Sequence, residues 1–302
     1  MGSKSKIAGS IAMNFPKAEN FYDLFGGGFS MTHYMIKNQS HKFKHFHYNE
    51  IESDIVKLVK DSIAGKYNYN IFKPKWISSE EFNRRKKTDS FVRCLWSFGN
   101  NQKNYLFSKD IEPYKKSLHN AVVFNQFDKI SEAIIGKAWP IKVNSFYLKR
   151  LFVRQKIEYF RTTNSLPDII KKFLNKKQLQ QLQQLERLQQ LQQLEQLQQL
   201  ERLQQLATYS RSYENIEIKE NSVVYCDIPY KGTSSYLGNF DHEKFFDWAS
   251  SRDFPVFISE YNIDDSRFEC VYKIKKRALL NNDTKIVKEK TEKLYWNGVK
   301  QV

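Results

Sequence analysis

The sequence predicts an α/β fold in which an open, mostly parallel sheet is interrupted by a mainly helical insertion. Three observations predict it. The β-branched run Ser222-Val-Val-Tyr-Cys226 stops abruptly at Asp227-Ile228-Pro229-Tyr230, as a buried strand does when it delivers polar side chains to a sheet edge. An earlier apolar strand, Phe21 to Phe25, runs into the triplet Gly26-Gly27-Gly28 and then a helical segment from Met31 to Lys37. Between the two, from about Lys66 to Glu214, the composition shifts to charged helical patterns mixed with aromatics.

The 302 residues form one large domain or two small ones, with 40% hydrophobic residues to build a core. No run of eighteen apolar residues and no hydrophobic signal segment is present, so the chain reads as soluble and unexported. Lys and Arg number 49 against 33 Asp and Glu, a net +16 that favours a polyanionic partner over mere solubility. Cys94, Cys226 and Cys270 are too widely spaced for a zinc site and imply a reducing compartment; no metal is expected. Cys226 lacks a preceding proline and alternates inward on its strand, so it reads as a small core residue and not as a nucleophile.

Taken in order, Met1 to Ala8 is a basic opening that contains Lys4. The glycine triplet after the first strand lets backbone approach a ligand closely, and the helix that follows favours an electronegative group at its start; the same triplet also suits an ordinary loop. Lys42 to Glu50 reads as a second strand ending in an acid. Glu50 sits where an acid can bind ribose hydroxyls, or where a carboxylate starts a helix. Ile51, Ile55, Leu58, Val59 and Ile63 recur at helical spacing up to Gly65. Ser78 and Glu81 offer a capping box ahead of Arg84-Arg-Lys-Lys87. Trp96 to Phe107 mixes aromatics with amides, either a base-reading loop or a polar turn. Asn144 to Arg161 interleaves aromatics with Lys149, Arg150, Arg154, Lys156 and Arg161, predicting a helix with one packed and one phosphate-facing stripe.

Pro167 suits the first turn of a further helix. From Leu179 to Leu206 leucine recurs every third position between glutamines. Leucines at that spacing wind around a helix instead of forming a coiled-coil seam, which predicts a long helix and offers a route to self-association. After the central strand, Asp241 starts a helix burying Phe245, Phe246, Trp248 and Ala249; Pro255 to Tyr261 forms a strand; Phe268 to Ile274 and Lys290 to Trp296 close as an antiparallel pair. Tyr261 and Trp296 are candidates for lining a pocket or for core packing.

The tetrapeptide after the central strand can be read chemically. An exocyclic amine on a nucleobase is a weak nucleophile and needs acceptors that draw its protons out of plane. Asp227 can accept through its carboxylate and Ile228 through its carbonyl, Pro229 stiffens the turn, and Tyr230 offers a stacking face. A strand-ending turn with no chemical role reads the same way.

Asp227-Ile-Pro-Tyr230 resembles the Asp-Pro-Pro-Tyr signature of amino-group DNA methyltransferases, and Val224 to Thr233 is similar to the DNA adenine methylase family. Ile228 replaces the first proline. Phe25 and Gly27 match the family's Phe-x-Gly-x-Gly loop, Phe29 standing in place of its second glycine, and Lys4 matches its opening motif. The resemblance implies a Rossmann-like S-adenosylmethionine-dependent methyltransferase sheet with an inserted target-recognition region. It implies that 1–65 and 215–302 form the catalytic domain, 66–177 the recognition region and 178–206 a repeat insertion. Catalysis would rest on Asp227, Ile228, Pro229 and Tyr230. S-adenosylmethionine would be held by Lys4, Asp23, Phe25, Gly26, Gly27, Gly28, Glu50 and Asp227. The implied partner is double-stranded DNA, with no membrane, in a bacterial or phage-type, nucleoid-associated cytoplasmic setting. Cytosine N4, an RNA adenine, or a decayed nucleic-acid-binding protein remain alternatives.

Overall fold

The sheet grows outward from β1 (Asn20–Asp23), whose four residues are all buried. The chain is described by a computed structural model over residues 4–68, 72–98, 102–171, 203–231, 240–277 and 289–300. It divides into two compact units, one comprising 2–59 with 200–302 and the other 60–199.

In the first unit, a short helix α1 (Ala8–Ala12) precedes β1, and α2 (Ser30–Asn38) follows it. Then come β2 (His45–Asn49) and α3 (Ser53–Ile63). After the second unit the chain resumes with β3 (Leu206–Tyr209), β4 (Ser222–Cys226), a helix at His242–Ser250, β5 (Val256–Glu260), β6 (Glu269–Arg277) and β7 (Glu289–Trp296). The strand order is β3-β2-β1-β4-β5-β7-β6. β3, β2, β1, β4 and β5 pair in parallel, and β7 enters antiparallel between β5 and β6. This is the doubly wound order with a reversed strand near one edge. Its topological switch point lies between β1 and β4, where Asp23 pairs with Tyr225.

Continuous burial of β1, β4 and β5 follows from cover on both faces. On one face Tyr22, Val224, Cys226 and Ile258 pack with Phe245, Phe246 and Ala249 of the 242–250 helix. On the other, Phe15 meets Phe21, Tyr225 and Phe257. Asp241 caps that helix by accepting from the Lys244 N–H at 3.0 Å, and Trp248 is only partly buried.

In the second unit lie α4 (Ser79–Arg85), α5 (Ser90–Leu95), α6 (Glu112–Phe124), α7 (Lys129–Ile135), α8 (Phe146–Thr162) and α9 (Asp168–Lys171). The helix at His242–Ser250 is therefore α10. Ser78 caps α4 through the Glu81 N–H, and α4 stops at Arg85, which pairs with Glu81 and Asp89. Trp76, Trp96, Tyr105, Phe107 and His119 form an aromatic cluster, with the His119 ring nitrogen on the Pro74 carbonyl at 2.9 Å. Among the described residues no helix is long and apolar enough to cross a membrane.

Corrections fall at element ends. Ile51 is 55% exposed and precedes α3, because the chain is still turning at Glu50 to Glu52. Leu206, expected to close the helical repeat, instead opens β3 and pairs with Phe46. The repeat itself, 179–202, lies outside the described residues. Trp296 pairs with Phe257 near the start of β5, because β7 runs antiparallel; that is the sheet edge opposite Asp227. It stacks on Phe257 and donates to the Val299 carbonyl, a packing role.

Candidate active site

Two loops leave the carboxyl edge of the sheet side by side, because β1 and β4 are neighbours. Leu24 N–H donates to the Tyr225 carbonyl at 3.0 Å, so the segments after Asp23 and after Cys226 begin in register.

The loop after β1 is shaped by backbone contacts. Gly26 donates to the Asn49 carbonyl at 2.8 Å, and a Cβ on Gly26 would lie 2.3 Å from the Tyr48 ring. Only glycine fits there. Gly27 has φ +46°, its N–H donates to Glu50 Oε2 at 3.0 Å, and its carbonyl accepts from the Tyr48 hydroxyl at 2.7 Å. Nothing lies closer than 4.0 Å to where its Cβ would be, which leaves a small cradle. Asn49 also pins the turn, donating to the Leu24 and Arg211 carbonyls at 3.0 Å each. Phe29, in place of a glycine, still adopts a left-handed φ of 66°; its buried ring packs edge-on against Tyr48 at 5.0 Å and holds it there. The loop path therefore stays glycine-like despite the side chain, at a cost of about 1–2 kcal/mol. Phe25 faces away from the cradle into the core, against Tyr213, Phe240 and Phe245.

Two acids border this loop. Asp23 is buried, takes the Thr32 hydroxyl on Oδ2 at 2.7 Å and leaves Oδ1 without a hydrogen bond. Burial pushes its carboxyl up to about 7, the Thr32 bond opposes this, and the charge of Asp227 adds to it. Glu50 is raised by burial against the N–H donors of Glu52 and Gly27. Its Oε1 also accepts from the Glu52 N–H at 3.1 Å just ahead of α3, so one carboxylate serves both the helix start and the loop. Each oxygen keeps acceptor capacity for a hydroxyl.

The loop after β4 is held by charge. Lys4, 6% exposed, comes from before α1, where its N–H donates to Ser30 Oγ at 3.2 Å. Its ammonium lies 3.0 Å from Asp227 Oδ1 and bonds to the Tyr230 hydroxyl and to Glu292 of β7. Burial lowers the Lys4 pKa, but Asp227 and Glu292 overcome this and raise it, so it remains an ammonium. The Tyr230 hydroxyl also donates to Glu292 Oε1 at 2.8 Å, and burial followed by the two carboxylates pushes its pKa far up. Tyr261, at the end of β5, meets the Tyr230 ring edge-on at 4.4 Å. His242 Nε2 donates to the Pro229 carbonyl at 2.8 Å, and Glu260 accepts from the Lys231 N–H at 3.1 Å. Ile228 is buried in the core.

The structure thus brings Lys4, Asp23, the glycines, Glu50, Asp227, Pro229 and Tyr230 to one edge. Glu292, His242, Asn49 and Glu260 were missed from the sequence: each is an ordinary polar residue whose partner is remote in the chain. Cys226 is buried and its thiol is pushed well up by burial, so it stays neutral. Among the described residues no group of three or more His, Cys, Asp or Glu could hold a metal.

In the second unit, α8 buries Val153 and Ile157, while Tyr147 and Tyr159 are each 57% exposed. Part of its basic stripe is already engaged: Lys149 donates to Asn125 at 2.6 Å, Lys156 lies over Phe152, and Arg161 pairs with Glu158. Arg154 is exposed. Trp96 is buried, and Ser97 bridges to Tyr105 in a small antiparallel turn that leaves Phe98 exposed. Of the amides expected to read bases, those at 100 and 101 lie outside the described residues.

Residues 1–292 match the family model described as D12 class N6 adenine-specific DNA methyltransferase. No curated protein gives a significant match.

Proposed function

Because the chain belongs to the D12 class N6 adenine-specific DNA methyltransferases and so methylates adenine N6 in DNA using S-adenosylmethionine, we propose that its reaction runs at the paired edge of β1 and β4. The register of Asp23 with Tyr225 is the observation that carries this reading, since it sets the glycine loop beside Asp227.

The residues present suit the cofactor. The cradle at Gly27, the free Oδ1 of Asp23 and the Glu50 carboxylate offer, respectively, close backbone approach and acceptors for polar groups. S-adenosylmethionine would be held by these groups and would supply an electrophilic sulfonium methyl for transfer to N6, whose surplus proton would pass to Asp227 or solvent. The chain's task is to place the amine and stabilise its developing charge. The Asp227 carboxylate accepts one amine hydrogen and the Ile228 carbonyl the other, while Pro229, held by His242, stiffens the turn. The adenine is swung out of the duplex, since its amine is otherwise committed to the base pair, and it stacks on Tyr230. The neutral, buried Cys226 supports direct transfer. Residues 66–177, with the exposed Tyr147, Arg154 and Tyr159, are assigned to target recognition, and the net +16 supports contact with phosphates. A DNA substrate supports a nucleoid-associated location.

Asp227→Ala tests the assignment. It is expected to lower methyl incorporation into duplex DNA about 10²- to 10³-fold, the loss typical of removing one transition-state hydrogen-bonding group, with DNA retention within about twofold. Undiminished turnover refutes it.

A further inference from the structure

We infer that Tyr261 sets the plane of the Tyr230 ring, and with it the orientation in which the target adenine is presented for transfer. This rests on the proposed role of Tyr230 as the stacking surface.

The Tyr230 hydroxyl accepts from the Lys4 ammonium and donates to Glu292 Oε1 at 2.8 Å. A phenol oxygen lies on the axis about which its ring turns, so bonds made there locate the far end of the side chain but do little to fix the tilt of the ring. Tilt is set by what meets the ring itself. The Tyr261 ring does so, with its centroid 4.4 Å away and its plane at 70°, the edge-to-face arrangement that aromatic quadrupoles favour. Turning Tyr230 about its axis breaks that contact or drives the two rings together.

A buried carboxylate keeps the rings at this spacing. Glu260, 2% exposed at the end of β5, accepts the Tyr261 N–H on Oε1 at 2.6 Å and the Lys231 N–H on Oε2 at 3.1 Å. One side chain thus clips the residue after Tyr230 to Tyr261. The clip is possible because β4 and β5 are parallel neighbours with Cys226 opposite Ile258, so both tyrosines leave the sheet at the same edge. A base stacked on Tyr230 lies parallel to its ring, and a ring free to turn carries the amine out of line with the methyl. Tyr261 touches no reacting atom. It is a positioning residue that acts through Tyr230.

Single-turnover methyl transfer from S-adenosylmethionine to unmethylated genomic DNA, with the full-length protein, reads the effect. Tyr261→Leu is expected to slow transfer about tenfold while affinity for S-adenosylmethionine stays within about twofold; Tyr261→Phe, which keeps the ring, should recover most of that loss. In a Tyr230→Ala background, Tyr261→Leu should add less than about twofold, since it then has no ring to act through. Fluorine NMR of protein carrying 3-fluorotyrosine in place of Tyr230 follows the ring directly: its line should shift and sharpen in Tyr261→Leu as the ring turns more freely. An unchanged line, an undiminished rate in Tyr261→Leu, a Tyr261→Phe as slow as Tyr261→Leu, or a fully additive loss in the double variant overturns the inference. If Tyr261→Leu fails to fold, Tyr261→Met carries the same expectations. Undiminished transfer by Tyr230→Ala overturns the stacking role and this inference with it; a slowed Tyr230→Ala beside an undiminished Tyr261→Leu overturns the inference alone.

Discussion

The loops after β1 and β4 leave the sheet from adjacent strands, yet they are held by different physics. After β1 the shape comes from backbone: Gly26 against Tyr48, Gly27 between Glu50 and the Tyr48 hydroxyl, Asn49 on two carbonyls. Its acids, the buried Asp23 and the half-buried Glu50, meet N–H and hydroxyl donors, and both are pushed towards their neutral forms. After β4 the acids share an ammonium, and the tyrosine is tied to the same cluster. The first arrangement suits a ligand recognised by close approach and hydroxyls. The second suits a step in which charge develops and must be met by charge.

The largest effect expected from this contrast is at Asp23. Burial raises its folded pKa to about 7 from an ordinary 3.8, so the folded state binds the extra proton, and stability is fully present below about 4 and lost as pH rises through 7. Asp23→Asn should remove that decline and be more stable than wild type at pH 8 by about 2–4 kcal/mol relative to their difference at pH 4, read by denaturant melts at both pH values. Parallel curves would mean that the β1 acids are not held neutral. Next, Gly26→Ala forces the Tyr48 ring aside and should cost about 1–3 kcal/mol, together with the thermal shift induced by S-adenosylmethionine. A smaller loss, about 0.5–1.5 kcal/mol, is expected for His242→Ala, which removes the donor on the Pro229 carbonyl. Its kcat should fall while affinity for S-adenosylmethionine stays put; a fall in cofactor affinity instead would blur the distinction between the two loops.

Strand ends and glycine positions were legible because they are local patterns. The apolar run to Cys226, the triplet at Gly26 and the acid at Glu50 each carry their signal within a few residues. Glu292 was not legible: on β7 it alternates with lysines and reads as a solvated edge until Lys4 is seen to lie against it. β3 was hidden because Leu206 continued the spacing of the repeat, and only pairing with β2 makes it a strand. Trp296 reads from the sequence as either a pocket or a core residue, because a sequence does not announce that β7 runs in reverse. Phe25 matched a motif yet fills the core, since its ring finds Tyr213, Phe240 and Phe245 from distant segments.

The bond between Lys4 and Glu292 spans 288 positions of sequence, and this orders the birth of the enzyme on the ribosome. β1 and β2 can pair early, but the ammonium that emerges ahead of them waits for its second carboxylate until β7 has been translated. A nascent chain stalled before that strand carries every residue of both loops but lacks the Glu292 carboxylate to which Lys4 and the Tyr230 hydroxyl bond.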